Sequence, residues 1–128
     1  MKIQKEHLTD AVICREDDTI LEVSRIMRDT QTRHILVLDN TDKPVGIVST
    51  VDLNNRVIAE EKDPKVAKAK EIMTKNIETV SIENDTYERA FEIMASIGTY
   101  SIPVVREGKL LGILEFNTAL KLKDFGGK

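Results

Sequence analysis

The sequence predicts a mixed α/β (α+β) fold built from two tandem β-α-β-β-α repeats packed about a pseudo-twofold axis. An internal repeat is the first observation behind this. Glu16-Asp17-Asp18-Thr19 returns in the second half as Glu83-Asn84-Asp85-Thr86, and the same offset carries Ile26-Met27 to Ile93-Met94, Ile35 to Ile102 and Val37 to Val104. Gly46-Ile47 then meets Gly112-Ile113 at an offset shorter by a single position. The slip falls between Asn40–Lys43 and Arg106–Lys109, polar stretches where a turn tolerates the loss. The second observation is that each copy contains a stretch of helical spacing followed by two runs rich in branched residues. The third is size: 128 residues make one ordinary domain, whereas a half of about 60 residues is marginal alone and needs a partner for its apolar face. A duplicated unit of this kind packs most simply about a pseudo-twofold.

Each element follows from local signals. Ala11 to Cys14 is a short apolar run, and Thr19-Ile20-Leu21-Glu22 is a capping box that opens a helix at about Ile20. Its buried stripe is Val23, Ile26 and Met27, repeated in the second copy as Ala90, Ile93, Met94 and Ile97. His34–Leu38 and Val45–Val48 flank a turn and read as a strand hairpin; Ser101–Val105 and Leu110–Leu114 repeat it around Arg106–Lys109. Pro103 is expected at a strand start or on an edge, because it cannot donate to a ladder. A second helix follows in each copy, from about Thr50 to Glu61 and from about Asn117 to Lys123. These boundaries give repeat 1 as 8–62, a packed connector as 63–75, repeat 2 as 76–123 and a frayed tail as 124–128. Met27, Met73 and Met94 read as core fillers. Leu53, Ile58, Leu120 and Leu122 are candidate dimer contacts.

Composition excludes several functions. A net charge of -3 with 32% charged residues of both signs carries no polyanion-binding footprint, so nucleic acid is not expected as a partner. The single cysteine, Cys14, leaves no disulfide within the chain and suits a reducing cytoplasm. No apolar run reaches the ~18 residues of a membrane span, and the first residues lack the apolar core of a signal peptide. A soluble cytoplasmic protein with no membrane partner is the expectation. His7, His34 and Cys14 have no metal-ligand spacing, so no metal site is expected. No nucleophile and base stand at recognisable spacing and there is no P-loop, so the chain is not expected to be an enzyme.

Thr32-Arg33-His34-Ile35-Leu36-Val37-Leu38-Asp39, followed by Pro44-Val45-Gly46-Ile47-Val48-Ser49-Thr50-Val51-Asp52-Leu53, resembles a CBS domain. The second copy, with Ile72-Met73-Thr74 ahead of it and Ser101-Ile102-Pro103-Val104-Val105 within it, is similar to a second one. Over 1–128 the chain thus resembles a CBS pair, or Bateman module, standing alone. The resemblance implies a regulatory module, without a cofactor of its own, that binds an adenosine-containing ligand such as AMP, ADP or ATP, with or without magnesium, between its halves. It also implies a homodimer and a regulated protein acting in trans.

The same resemblance implies the site residues. Gly46-Ile47-Val48-Ser49-Thr50-Val51-Asp52 satisfies the family's ribose-and-phosphate motif: Asp52 would accept both ribose hydroxyls, Ser49 and Thr50 would donate to phosphate, and Ile47 would line the site. Arg33 would face the phosphate as a planar fork. Ile77, Glu78 and Thr79 would meet the edge of the adenine ring, with Tyr100, Ser101 and Pro103 beside it. A second site would use Ala11, Val12, His34, Ile113, Glu115, Asn117 and Thr118. There Glu115 replaces the hydroxyl and Thr118 replaces the aspartate, so a carboxylate would oppose phosphate and that site is expected to be weak, empty or differently occupied.

Other readings remain for the same residues. Ser49-Thr50-Val51-Asp52 is equally a helix cap, and both roles can coexist. Tyr100 can simply pack at a strand start, and His34 can be a surface residue. S-adenosylmethionine or a similar adenosyl compound competes with the nucleotides, since Glu115 suits an amine or sulfonium. A ligand-free docking or dimerisation module is the remaining alternative.

Overall fold

Thr19 opens the first helix by the reciprocal bonding of a capping box: its hydroxyl accepts the Glu22 N–H at 3.2 Å, and Glu22 Oε1 accepts the Thr19 N–H at 3.2 Å. The computed structural model describes residues 1–124; of the tail expected to fray, 125–128 lie outside the described residues. The chain packs as two units, Ala11–Ile77 and Met1–Asp10 together with the chain from Glu78 onward. Residues 63–75 thus pack with the first repeat, and the first ten residues pack with the second.

The first unit contains β1 (Ile13–Arg15), α1 (Ile20–Thr30), β2 (His34–Leu38), β3 (Pro44–Ser49), α2 (Thr50–Leu53) and α3 (Ala69–Ile72). Its sheet runs β1-β2-β3, with β1 parallel to β2 across the α1 crossover and β2 antiparallel to β3. Val23 and Met27 of α1 are buried, and Ile26 packs half-buried beside the same core of Ile35, Val37, Val48, Ile72 and Met73. The expected helix from Thr50 to Glu61 is not one α-helix. After Leu53 it widens into a π-helix, Asn54–Ile58, with the Ala59 N–H reaching the Asn54 carbonyl at 2.9 Å, and Glu61 then stops it at a φ of 53°.

The second unit has a 3-10 turn (Lys5–His7), β4 (Val80–Ser81), α4 (Tyr87–Ile97), β5 (Ser101–Arg106), β6 (Lys109–Glu115) and α5 (Phe116–Leu122), with sheet order β4-β5-β6. The Thr86 hydroxyl accepts the Arg89 N–H at 3.1 Å and caps α4. The helix buries Tyr87, Ala90 and Met94, whereas Ile97, expected in the stripe, is 55% exposed. It is the last residue before the Gly98 cap, beyond the turn that meets the sheet. Tyr87 takes its place as the largest fully buried side chain.

Pro103 is the third residue of the middle strand, not a strand start or an edge. The physical reason is that β4 pairs only with Val104 and Val105, while Ile113 opposite Pro103 bonds on its other side to Thr9. The proline nitrogen therefore lies beyond the start of β4, where the matching Leu36 N–H of the first repeat bonds to the Val12 carbonyl at 3.0 Å and a proline has no N–H to donate.

Both hairpins carry a register shift at the same place, Val37/Leu38 and Val104/Val105. The lost residue lies in the connection: 39–43 separates Leu38 from its partner Pro44, whereas 106–109 separates Val105 from Leu110. Asp39 organises the longer turn by accepting from the Thr41 N–H at 2.8 Å and the Lys43 N–H at 3.0 Å. The shorter turn places Glu107 and Gly108 at φ values of 51° and 81°, a left-handed pair that suits Gly108.

The outer edges of β3 and β6 are closed in the same way. Ile47 exchanges two backbone bonds with Thr74, at 3.0 and 2.8 Å, and Ile113 exchanges two with Thr9, both at 2.9 Å. This close passage explains the glycines before them. A Cβ on Gly46 would overlap Met73 Sδ and lie 3.0 Å from the Thr74 carbonyl oxygen; one on Gly112 would lie 3.0 Å from Leu8 Cβ and from the Thr9 carbonyl oxygen.

Candidate functional site

In the first unit, hairpin register and a cap gather the motif at one corner. His34 pairs with Ser49 across β2 and β3, and the Thr50 N–H donates to the Arg33 carbonyl at 3.0 Å. Ser49 is the N-cap of α2: its hydroxyl accepts the Asp52 N–H at 3.2 Å, and Asp52 Oδ2 accepts the Ser49 N–H at 2.9 Å. Asp52 Oδ1 lies 3.7 Å from Arg56 Nε, and the Asp52 side chain keeps 13% of its exposure. A carboxylate offers about four lone-pair positions. With Oδ2 on one amide and Oδ1 in a loose ion pair, acceptor capacity remains for two hydroxyls. Arg33 and the Thr50 hydroxyl are exposed, and Arg33 makes no ion pair among the described residues.

The remaining first-unit residues are spread along the sheet. Ile47 is half-buried and tied to Thr74. Val12 accepts the Leu36 N–H at 3.0 Å, Ala11 precedes it, and Ile77 is half-buried at the unit's end. His34 is exposed.

The second unit has an equivalent corner with different chemistry. The Phe116 N–H donates to the Tyr100 carbonyl at 2.7 Å, the counterpart of the Thr50 to Arg33 bond. Tyr100 is 84% exposed and stands edge-on to Phe116 at 6.4 Å between ring centroids, and Phe116 lies 5.1 Å from Phe91. Ser101 pairs with Glu115, and Pro103 with Ile113. Glu115 is the N-cap residue of α5 but its side chain makes no cap bond; Asn117 is exposed and Thr118 half-buried. Glu78, exposed, and Thr79, half-buried, lead into β4. One corner thus carries hydroxyls, an aspartate and arginines, and the other carries an aromatic pair and a glutamate.

A model of the CBS domain matches residues 6–59 and again residues 69–122. The chain belongs to the CBS domain family. An uncharacterized protein of Methanopyrus kandleri is 26% identical to this CBS pair over 91% of the chain and 59% of its own length. The inosine-5'-monophosphate dehydrogenase of Methanocaldococcus jannaschii is 29% identical over 92% of the chain but only 23% of the enzyme. The CBS pair therefore spans less than two thirds of either relative. The cytosolic domain of the Mg2+ channel MgtE, solved in complex with ATP, matches with a TM-score of 0.71 and 28% identity, covering 88% of this chain and 44% of that one.

Three features of the CBS pair were missed in the sequence. Arg56 is a second guanidinium beside Asp52, and its signal was the i, i+4 spacing of an acid and a base on one helix. The π-helix that carries Arg56 has no marker that separates it from an α-helix. Tyr87 fastens the N-terminal segment, accepting the Gln4 N–H at 3.0 Å and bonding to His7 Nδ1. Of the candidate dimer contacts, Ile58 and Leu120 are exposed, but Leu53 and Leu122 pack toward their own cores. Burial, with the Asp18 carboxylate adding to it, pushes the Cys14 thiol up to about 12, so it stays protonated at neutral pH. No group of three or more metal-ligating side chains occurs among the described residues, and none of the described helices is long and apolar enough to cross a membrane.

Proposed function

We propose that this CBS pair is a non-catalytic regulatory module that binds an adenosine-containing ligand, AMP, ADP or ATP, through its first-repeat corner. The observation that carries this reading is the Asp52 carboxylate, fixed by Ser49 yet with acceptor capacity to spare, beside exposed Thr50 and Arg33. Asp52 takes the ribose hydroxyls, while Ser49, Thr50 and Arg33 take the phosphate. Ile47 lines the ribose, and Ile77, Glu78, Thr79, Tyr100, Ser101 and Pro103 serve the base. The MgtE domain solved with ATP supports the ligand class. In the second site, with Ala11, Val12, His34, Ile113 and Asn117, Glu115 in place of a hydroxyl and Thr118 in place of aspartate disfavour phosphate, and an adenosyl sulfonium or amine suits that corner better. The regulatory output is carried by a homodimer and a partner in trans.

A scaffold reading is favoured by one observation, the complete capping box of Ser49 and Asp52, which gives both side chains a purely structural task. Thermal melts with adenosine derivatives separate the two. A ligand at 100 times its dissociation constant stabilises a site by roughly 2.7 kcal/mol, and a scaffold gains nothing. The shift is expected in the wild type and absent in Asp52→Ala; a shift that survives the substitution moves the site elsewhere.

A further inference from the structure

Arg56 does two things with one guanidinium. Its Nε lies 3.7 Å from Asp52 Oδ1, and its Nη1 donates to the Ile72 carbonyl at 2.8 Å. That carbonyl is the last of α3 and has no partner within its own short helix. The residue directly after Ile72 is Met73, which packs under Gly46, and Thr74 then closes the edge of β3 at Ile47. One side chain therefore joins the candidate ribose acceptor to the connector that leads out of the first repeat. The π-helix places it there, and such widened turns occur often at functional sites.

The second repeat supplies an internal comparison. Counted from the paired glycines, Asp52 corresponds to Thr118 and Arg56 to Leu122, so the acid and the base are replaced together. Its connecting segment, residues 1–10, is fastened from a different helix, by Tyr87 to Gln4 and His7. In both repeats the start of the long helix holds the connecting segment, through Ile20 N–H to the Ala67 carbonyl at 2.9 Å and Tyr87 N–H to the Met1 carbonyl at 3.3 Å, and the first repeat adds the Arg56 bond from the π-helix that follows the motif aspartate.

We infer that Arg56 is the positioning residue of the first-repeat site, holding the Asp52 carboxylate toward ribose and transmitting occupancy of that carboxylate to the connector through the Ile72 carbonyl. This rests on the ligand reading above. Hydroxyls donating to an Oδ1 that Arg56 already steadies tighten the loose Asp52–Arg56 pair, which draws the guanidinium toward the carboxylate and alters its bond to Ile72. A lysine replaces it only in part, because an ammonium keeps the charge beside Asp52 but lacks the fixed fork that spans both acceptors.

The test titrates the full chain, Arg56→Gln and Arg56→Lys with ADP and with 2′,3′-dideoxy-ADP by calorimetry, and follows amide exchange at Met73 and Thr74. In the wild type, removing the hydroxyls is expected to weaken binding by about tenfold or more, the worth of hydrogen bonds to a carboxylate. In Arg56→Gln that ratio falls toward one although Asp52 is intact; in Arg56→Lys it recovers in part. ADP slows exchange at Met73 and Thr74 in the wild type and in neither variant. A residue that merely pinned the connector would leave the hydroxyl ratio unchanged. An unchanged ratio in Arg56→Gln overturns the role of Arg56 and leaves the ligand reading standing, whereas a wild type that ignores ADP, or binds it without regard to its hydroxyls, overturns both.

Discussion

Replacing Gly46 with alanine puts one methyl group where β3 and the connector pass closest. The new Cβ would overlap Met73 Sδ, approach its Cγ to 2.8 Å and lie 3.0 Å from the Thr74 carbonyl oxygen. Met73 is 8% exposed, so its thioether can leave only by disturbing the core around Ile35 and Val48. Thr74 cannot retreat without losing its two bonds to Ile47, at 3.0 and 2.8 Å. Overpacking of this kind costs about 1–3 kcal/mol. For a 128-residue chain one kcal/mol lowers the melting temperature by roughly 4 °C, so Gly46→Ala should melt about 4–12 °C below wild type in a calorimetric scan. The cause is separable by a double-mutant cycle. With Met73→Ala already present the alanine Cβ fills vacated space, and the cost of Gly46→Ala should fall below about 1 kcal/mol. A melt within about 1 °C of wild type, or a cost unchanged by Met73→Ala, would refute the steric account.

Two other outcomes follow from the cores. Tyr87→Phe keeps the ring but strands the Gln4 N–H and the His7 ring nitrogen; it should cost about 1–3 kcal/mol in urea denaturation and speed amide exchange over residues 4–10, leaving exchange in the first unit unchanged. The Cys14 thiol, raised from 9.0 to about 12 in the folded chain, contributes stability that is full below its ordinary pKa and is lost as pH rises, because only the unfolded chain then releases the proton. Unfolding free energies from urea denaturation between about pH 9 and about pH 11 should therefore fall by up to about 1.4 kcal/mol per pH unit more steeply in wild type than in Cys14→Ala.

The repeat, both hairpins, both long helices and the Thr19 cap are legible in the sequence because each is written in neighbouring residues. The constant offset between the copies, and the single position by which it slips, even locate the turn that differs. What escapes is set by residues far apart in the chain. Tyr87 enters the core because it meets Gln4 and His7, which lie far upstream near the first residue. Pro103 sits in a middle strand because β4 pairs only with Val104 and Val105, and the sequence around Pro103 holds no trace of where β4 begins. The grouping of residues 1–10 with the second repeat has the same origin. At the site, the motif Gly46 to Asp52 is readable as letters, and its cap is readable as a capping box. The partnership of Asp52 with Arg56 and of Arg56 with Ile72 depends on a π-helix, whose widened turn differs from an α-helix in bonding but not in composition.

Whether the Asp52 carboxylate receives a ribose is tested most directly by a crystal structure of the chain with ADP. Both ribose hydroxyls are expected within hydrogen-bond distance of Asp52, with the phosphates near Ser49, Thr50 and Arg33. A ribose bound away from Asp52, with its carboxylate engaged only by Ser49 and Arg56, would contradict the central claim.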